Sequence, residues 1–332
     1  MLHRLQAAAR VCILLGPLAV AACTSPIDAL TGPSADELAS RAFASLASSR
    51  VTHLSGSFIN AGRHFSLDCT VSRGGDAHGA VQVDDRAYEL LVSGGQTYVR
   101  GQQFWSGYGD PGVARLYGDS WVALQANGVS TLGGPAGPCA VARALPDRPL
   151  QMKREGEARI AGKPAVELSD SSGRLYVSND GQPRLLRMVS GRGYRTPDGS
   201  SDLRLDFDYP TQFKVAAPGT FIKPSDPQSF PAHYLAEGVK IGKCDASGCA
   251  LTASVRNLAG PPAGQSTATL KLRGGDNSEL GSCTVNVPAI AFQQAQDVSC
   301  TVSGGAWAAF YNSSQNRQYF ARVTIQNPPY DS

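Results

Sequence analysis

Ser34-Ala35-Asp36-Glu37 has the capping-box pattern, and Leu38, Ala42, Phe43 and Leu46 follow it at helical spacing. Asp36 and Glu37 fall in the first turn, where the helix dipole favours negative charge. These positions predict one amphipathic helix over Asp36–Ser49. From Val51 the period changes to two. Phe65, Leu67, Cys69 and Val71 alternate with His64, Ser66, Asp68 and Thr70, which marks a strand with one dry face and one wet face. Val81-Gln82-Val83, Tyr88 to Val92 and Thr97 to Arg100 continue as strands, with turns at Gly74-Gly75, Asp84-Asp85 and Gly94-Gly95. Short turns between consecutive strands make hairpins in series, so the sheet is expected to be antiparallel.

Between Gly107 and Pro149 the alternation lapses, and Pro111 to Tyr117 and Cys139 to Leu145 read as short helices inserted over the sheet. Strands resume at Ala158 to Ile160, Val166 to Leu168, Arg174 to Ser178 and Arg184 to Val189. The last, Asp202 to Tyr209, turns Leu203, Leu205, Phe207 and Tyr209 one way and Asp202, Arg204, Asp206 and Asp208 the other. Pro218, Pro224, Pro227 and Pro231 cluster in a polar stretch, which predicts a linker over residues 223–236. Beyond it, Leu251, Ala253 and Val255, then Ala268, Leu270 and Leu272, then Val285, Val298 and Val323 carry the same alternation, with no convincing helix between them. Regularly spaced short strands over residues 237–332 predict a small β-sandwich, which resembles immunoglobulin-like modules. The fold class expected is mainly β, an antiparallel sheet with a few covering helices over residues 36–222, followed by that sandwich.

The first residues change the picture from fold to location. Arg4 and Arg10 precede or flank an apolar run from Val11 to Ala19, and Val20-Ala21-Ala22 follows, which is the anatomy of a secretory signal over residues 1–22. The run is shorter than the roughly 20 residues that a spanning helix needs. Val20-Ala21-Ala22-Cys23 resembles the bacterial lipobox, so Cys23 is the expected site of diacylglycerol attachment and residues 23–35 are a lipidated tether. Plain cleavage after Ala22 is the alternative, and it leaves a cysteine at the new N-terminus unexplained. Two acyl chains suffice for stable anchoring, since each buried methylene adds about 0.8 kcal/mol. The chain is then expected in the cell envelope, lipid-anchored to a bacterial membrane and facing away from the cytoplasm.

Cysteine usage agrees with export. Of eight cysteines, Cys12 leaves with the signal and Cys23 takes lipid, which leaves Cys69, Cys139, Cys244, Cys249, Cys283 and Cys300. An even set in an exported chain reads as disulfides. Six cysteines allow 15 pairings. Proximity favours Cys244 with Cys249 and Cys283 with Cys300, leaving Cys69 for Cys139. Zinc is not indicated, for there is no Cys-x-x-Cys and no histidine beside the cysteines. The 30 basic residues fall to 28 once Arg4 and Arg10 are removed, against 27 acids, and a body so near neutrality is no electrostatic trap for nucleic acid.

The phrases Val51-Thr52-His53-Leu54-Ser55-Gly56, Gly94-Gly95-Gln96-Thr97-Tyr98-Val99-Arg100 and Gly118-Asp119-Ser120-Trp121-Val122, in the order helix, hairpins, helical insertion and hairpins, resemble the LppX/LprG lipoproteins. Those belong with the LolA/LolB carriers. The resemblance covers residues 36–222 and implies that the sheet is a curved antiparallel half-barrel around a few covering helices, with an apolar cavity that shelters acyl chains. On that reading Leu38, Phe43, Leu46, Phe65, Leu67, Val71, Leu205 and Phe207 are the candidate cavity-lining residues. An ordinary filled core explains the same pattern.

Catalytic signatures are missing. His53, His64, His78 and His233 are scattered, and neither Gly-x-Ser-x-Gly nor His-Glu-x-x-His occurs. Asp206 and Asp208 suit a cation by residue type, but on an alternating face they read as solvated charges. Gly191-Arg192-Gly193-Tyr194-Arg195 suits an anionic headgroup, and equally a plain hairpin loop. The expected function is therefore non-enzymatic, without cofactor, metal or catalytic residue: a carrier whose partners are the membrane and a lipid or glycolipid ligand. The alternative is an envelope scaffold that binds another envelope protein.

Overall fold

The structure is a computed structural model, and it describes residues 32–107, 111–132, 134, 136–145, 151–313, 318–328, 330 and 331. The expected signal segment, Cys23 and most of the tether lie outside the described residues. Helix α1 (Ala35–Ser48) starts where the capping pattern placed it. The Ser34 hydroxyl accepts the Glu37 amide at 3.2 Å, and the Asp36 carboxylate accepts the amide of Met152 at 2.7 Å. Its apolar stripe, Leu38, Ala39, Ala42, Phe43 and Leu46, is buried.

Eleven strands form one antiparallel sheet. The first meander is β1 (Val51–Asn60), β2 (Arg63–Ser72), β3 (Ala77–Val83), β4 (Arg86–Ser93), β5 (Gln96–Arg100) and β6 (Val122–Ala123). The second is β7 (Lys153–Ile160), β8 (Lys163–Asp170), β9 (Gly173–Ser178), β10 (Leu185–Ser190) and β11 (Ser201–Asp208). The order across the sheet is β6-β5-β4-β3-β2-β1-β11-β10-β9-β8-β7, so the meanders are joined at the centre by β1 on β11, with His53 opposite Asp208 and Leu54 opposite Phe207. The edges β6 and β7 do not pair with each other, and the sheet stays open as a half-barrel. Two strand glycines allow backbones to approach closely: a Cβ on Gly56 would lie 1.9 Å from the Arg204 carbonyl oxygen, and one on Gly79 would lie 2.3 Å from that of Asp68.

Helices α2 (Gln102–Ser106) and α3 (Pro111–Gly118) lie between β5 and β6; α4 (Ala126–Thr131) and a 3₁₀ helix (Gly137–Ala144) lie between β6 and β7. Because β6 and β7 are opposite edges, the chain must cross the width of the sheet there. It crosses on the dry face, where Cys139 is bonded to Cys69 of β2 with their Cα atoms 5.7 Å apart. The helices expected over 111–117 and 139–145 are present, and α2 and α4 are additions that the lapse in alternation concealed.

The segment expected as a linker is less independent than its prolines suggest. Just before it, Ile222 is buried and forms a parallel bridge with Val122, its amide donating to the Trp121 carbonyl at 2.8 Å. Phe230 packs against the core of the large sheet, and residues 233–236 belong already to β12 (His233–Asp245). The alternation that governs those residues is carried by Tyr234, 1% exposed, whose hydroxyl donates to the Ala263 carbonyl at 2.6 Å.

After it, β12, β13 (Gly248–Ala259) and β16 (Ala295–Val302) form one antiparallel sheet, and β15 (Glu279–Asn286), β14 (Thr267–Gly274) and β17 (Tyr319–Gln326) form another. Their inner rows share a core of their own, in which Leu251, Ala253 and Val255 meet Ala268, Leu270 and Leu272. Cys283–Cys300 ties the two sheets together, and Cys244–Cys249 closes the β12–β13 hairpin. The expectation of no helix in this part is corrected: α5 (Gly305–Asn312) lies between β16 and β17. Its sequence is apolar nearly all round, so it shows no 3.6-residue period, yet Trp307 is fully buried and its indole N–H donates to the Asp245 carbonyl at 2.8 Å.

Candidate functional site

The crossing chain does not fill the space it covers. Between the C-terminal half of α1, the start of β1, the end of β2 and the 3₁₀ helix there is a cavity of about 350 Å³. Phe43, Leu46, Leu54, Val71, Ala142 and Leu145 supply its apolar wall, and Thr52, Ser72, Arg73 and Arg143 its polar end. Each side chain is placed by a local rule. The helical period turns Phe43 and Leu46 onto the sheet, the strand period turns Leu54 and Val71 inward, and the Cys69–Cys139 bond pins the 3₁₀ helix that presents Ala142 and Arg143.

At the polar end, Arg143 Nη2 donates to the Ser72 carbonyl at 3.0 Å, and the Arg73 amide donates to the Arg50 carbonyl at 2.8 Å. The side chains of Arg73 and Arg143 are exposed, so the cavity reaches the surface there. Neither makes an ion pair among the described residues. The Ser72 hydroxyl is buried, with no hydrogen-bond partner among them.

A second cavity of about 280 Å³ lies at the opposite end of β2, between Phe65, Val83, Tyr88, Phe104, Leu132 and Pro138, with Arg63 and Arg86 beside it. Phe65 stacks on Phe58 with ring centroids 5.0 Å apart, and Phe104 tilts against Tyr88 at 4.9 Å. Pro138 borders this cavity while Cys139 and Ala142 border the first, so the 3₁₀ helix divides the dry face into two spaces. Arg63 is held by Asp84 at 3.0 Å, and the Asp84 carboxyl is pulled below its ordinary value by the His64 amide and then by Arg63.

No protein-family profile matches the chain, and no curated protein does. Among solved structures, the chain is similar to one in "Crystal structure of MucB in complex with MucA(peri)", with 14% identity over 80% of this chain and 93% of that one, at a TM-score of 0.22. A likeness that low carries no argument.

Of the residues expected around a cavity, Phe43, Leu46 and Val71 line the first and Phe65 lines the second. Leu38, Leu67, Leu205 and Phe207 are packed in the common core beneath them. Arg73, Arg143, Ala142 and Leu145 were not legible as site residues, because nothing local says that the insertion folds back over β2. The Asp206 carboxylate accepts from Arg187 Nη2 at 2.9 Å, and that of Asp208 from Lys163 at 2.7 Å; Lys163 also holds the Asp208 carboxyl below its ordinary value. These are solvated ion pairs, and no cluster suited to a metal occurs among the described residues. His53 Nε2 meets Asp68 at 2.9 Å, with no serine hydroxyl bonded to it among the described residues. In the Gly191–Arg195 loop, Tyr194 packs on the core and Arg195 donates to the Gly199 carbonyl at 3.3 Å, as a hairpin loop does.

Proposed function

We propose that this protein is an envelope lipoprotein that holds an acyl chain in the cavity beneath α1, as its resemblance to the LppX/LprG carriers implies. The observation that carries the reading is the 350 Å³ space walled by Phe43, Leu46, Leu54, Val71, Ala142 and Leu145. A filled half-barrel would have none, and the size falls within the roughly 300–1,000 Å³ of small-molecule sites. A methylene group being about the size of a water molecule, roughly 30 Å³, the space accepts about a dozen carbons of one chain. Anchoring through Cys23 would keep the cavity at a membrane surface. The alternative role as a scaffold for another envelope protein draws on Leu235, 51% exposed on the edge strand β12.

The test is titration of a fluorescent acyl probe into the full chain carrying Cys23→Ala, so that no attached lipid competes. Saturable binding is expected, and both Ala142→Trp and Phe43→Trp should weaken it at least about tenfold, a loss of about 1.4 kcal/mol. In a filled core these insertions would cost about 1–3 kcal/mol of stability, whereas the adjacent space lets the indole enter for less. Absence of saturable binding, where a known carrier binds the same probe, would end the carrier reading and leave the scaffold.

A further inference from the structure

The acyl cavity has a charged end whose composition its apolar wall does not require. Arg73 and Arg143 both line it, and neither has a carboxylate within ion-pair reach among the described residues. The other arginine-flanked space carries less free charge, since there Arg63 is paired with Asp84 and Arg86 alone has no ion pair among the described residues. Arg73 follows directly on β2, and its amide is bonded to the carbonyl of Arg50, which sets a third cationic residue just before β1 at the same end of the sheet. Arg143 is held on its other side by its bond to the Ser72 carbonyl and, through Cys139, by the disulfide to β2. The buried Ser72 hydroxyl, with no partner among the described residues, adds an unused donor at the same place.

We propose that the ligand of this cavity is an anionic amphiphile, with an acyl tail beneath α1 and its carboxylate or phosphate headgroup held by Arg73 and Arg143 at the mouth. The inference rests on the acyl-chain reading above and adds the sign and position of the headgroup. A tail of about a dozen methylenes matches the space and sets the length of the probes. Headgroup sign follows from charge: two arginines lining one cavity favour an anion, and guanidinium matches the planar or tetrahedral oxygens of carboxylate and phosphate through paired N–H donors. A neutral headgroup would leave that match unused.

The experiment compares dodecanoate, dodecyl phosphate and dodecanol by calorimetric titration of the full chain carrying Cys23→Ala. Both anions are expected to bind at least about tenfold more tightly than the alcohol, and whichever anion is tighter identifies the headgroup. In Arg73→Gln with Arg143→Gln the advantage of the anions should disappear while dodecanol affinity stays within about twofold. Arg73→Lys with Arg143→Lys should restore most of the advantage, because charge returns without the guanidinium fork, and unchanged circular dichroism and melting temperature would show that the variants are folded. Equal affinity of the three probes for the parent chain would overturn the headgroup inference and leave the acyl cavity standing. An equal loss for all three in the glutamine variant would also overturn it, since the arginines would then only shape the wall. Binding of none of the three would overturn both.

Discussion

Removing the Cys69–Cys139 bond tests the architecture at its most consequential point. The bond closes a loop of 70 residues, and the loop contains β3 to β6, α2 to α4 and the start of the 3₁₀ helix. The chain-entropy relation values a closed loop of that length at about 4 kcal/mol at 25 °C, against about 3 for the 17-residue loop of Cys283–Cys300 and about 2 for the five-residue loop of Cys244–Cys249. Cys69 and Cys139 are each 1% exposed, so alanine at both positions removes two buried sulfur atoms and adds on the order of 1 kcal/mol of lost packing. Urea unfolding of the three double alanine variants, followed by circular dichroism, should therefore rank them in that order. The melting transition of the large sheet should fall by roughly 8–20 °C in Cys69→Ala with Cys139→Ala, at about 2–4 °C per kcal/mol for a unit of this size. Acyl-probe affinity should fall with it, because the 3₁₀ helix that bears Ala142 and Arg143 loses its tether. A cost for this variant no greater than that of Cys244→Ala with Cys249→Ala would refute the reasoning. The crossing would then be held by its packing and not by the bond.

Three further outcomes are expected. Cys23→Ala should move the protein from the detergent phase to the aqueous phase in phase partitioning, and unchanged partitioning would reject lipid attachment at that residue. Gly56→Ala should cost at least about 2 kcal/mol in urea unfolding, since the residue holds φ near 140° and its new Cβ would strike the Arg204 carbonyl where β1 meets β11; Gly62→Ala, where nothing lies within 4 Å of the new atom, is the control for the left-handed backbone alone. Burial pushes the Tyr330 phenol up to about 12 from an ordinary 10, so above pH 10 the unfolded chain loses that proton before the folded one. The stability it contributes is complete below pH 10 and declines between about 10 and 12, and Tyr330→Phe should flatten that part of the stability curve.

Local structure was legible because it is governed by neighbours in the chain. The capping box set the start of α1, and alternation named the inward residues of β2 and β11 before any partner strand was known. Cysteines 5 and 17 residues apart paired as proximity favoured, with Cys69 left for Cys139. Where residues lacked contrast, local reading failed. Gly305–Asn312 offers no polar face, so no periodicity marks it as a helix, and the proline cluster Pro218–Pro231 hides the apolar anchors Ile222 and Phe230.

What the sequence by itself determined is which side of each element is dry, because a period of 2.0 or 3.6 fixes that within a few residues. Only the tertiary structure decided that β1 lies beside β11, more than a hundred residues away, and hence that β6 and β7 become opposite edges. That placement forces the chain across the dry face and brings Arg73 and Arg143 to one mouth. A cavity is the volume that facing elements leave unfilled, so it depends on how long-range pairing sets their separation. No residue encodes it alone: Phe43 and Val71 border open space while Leu38 and Leu205, of the same pattern, are packed solid.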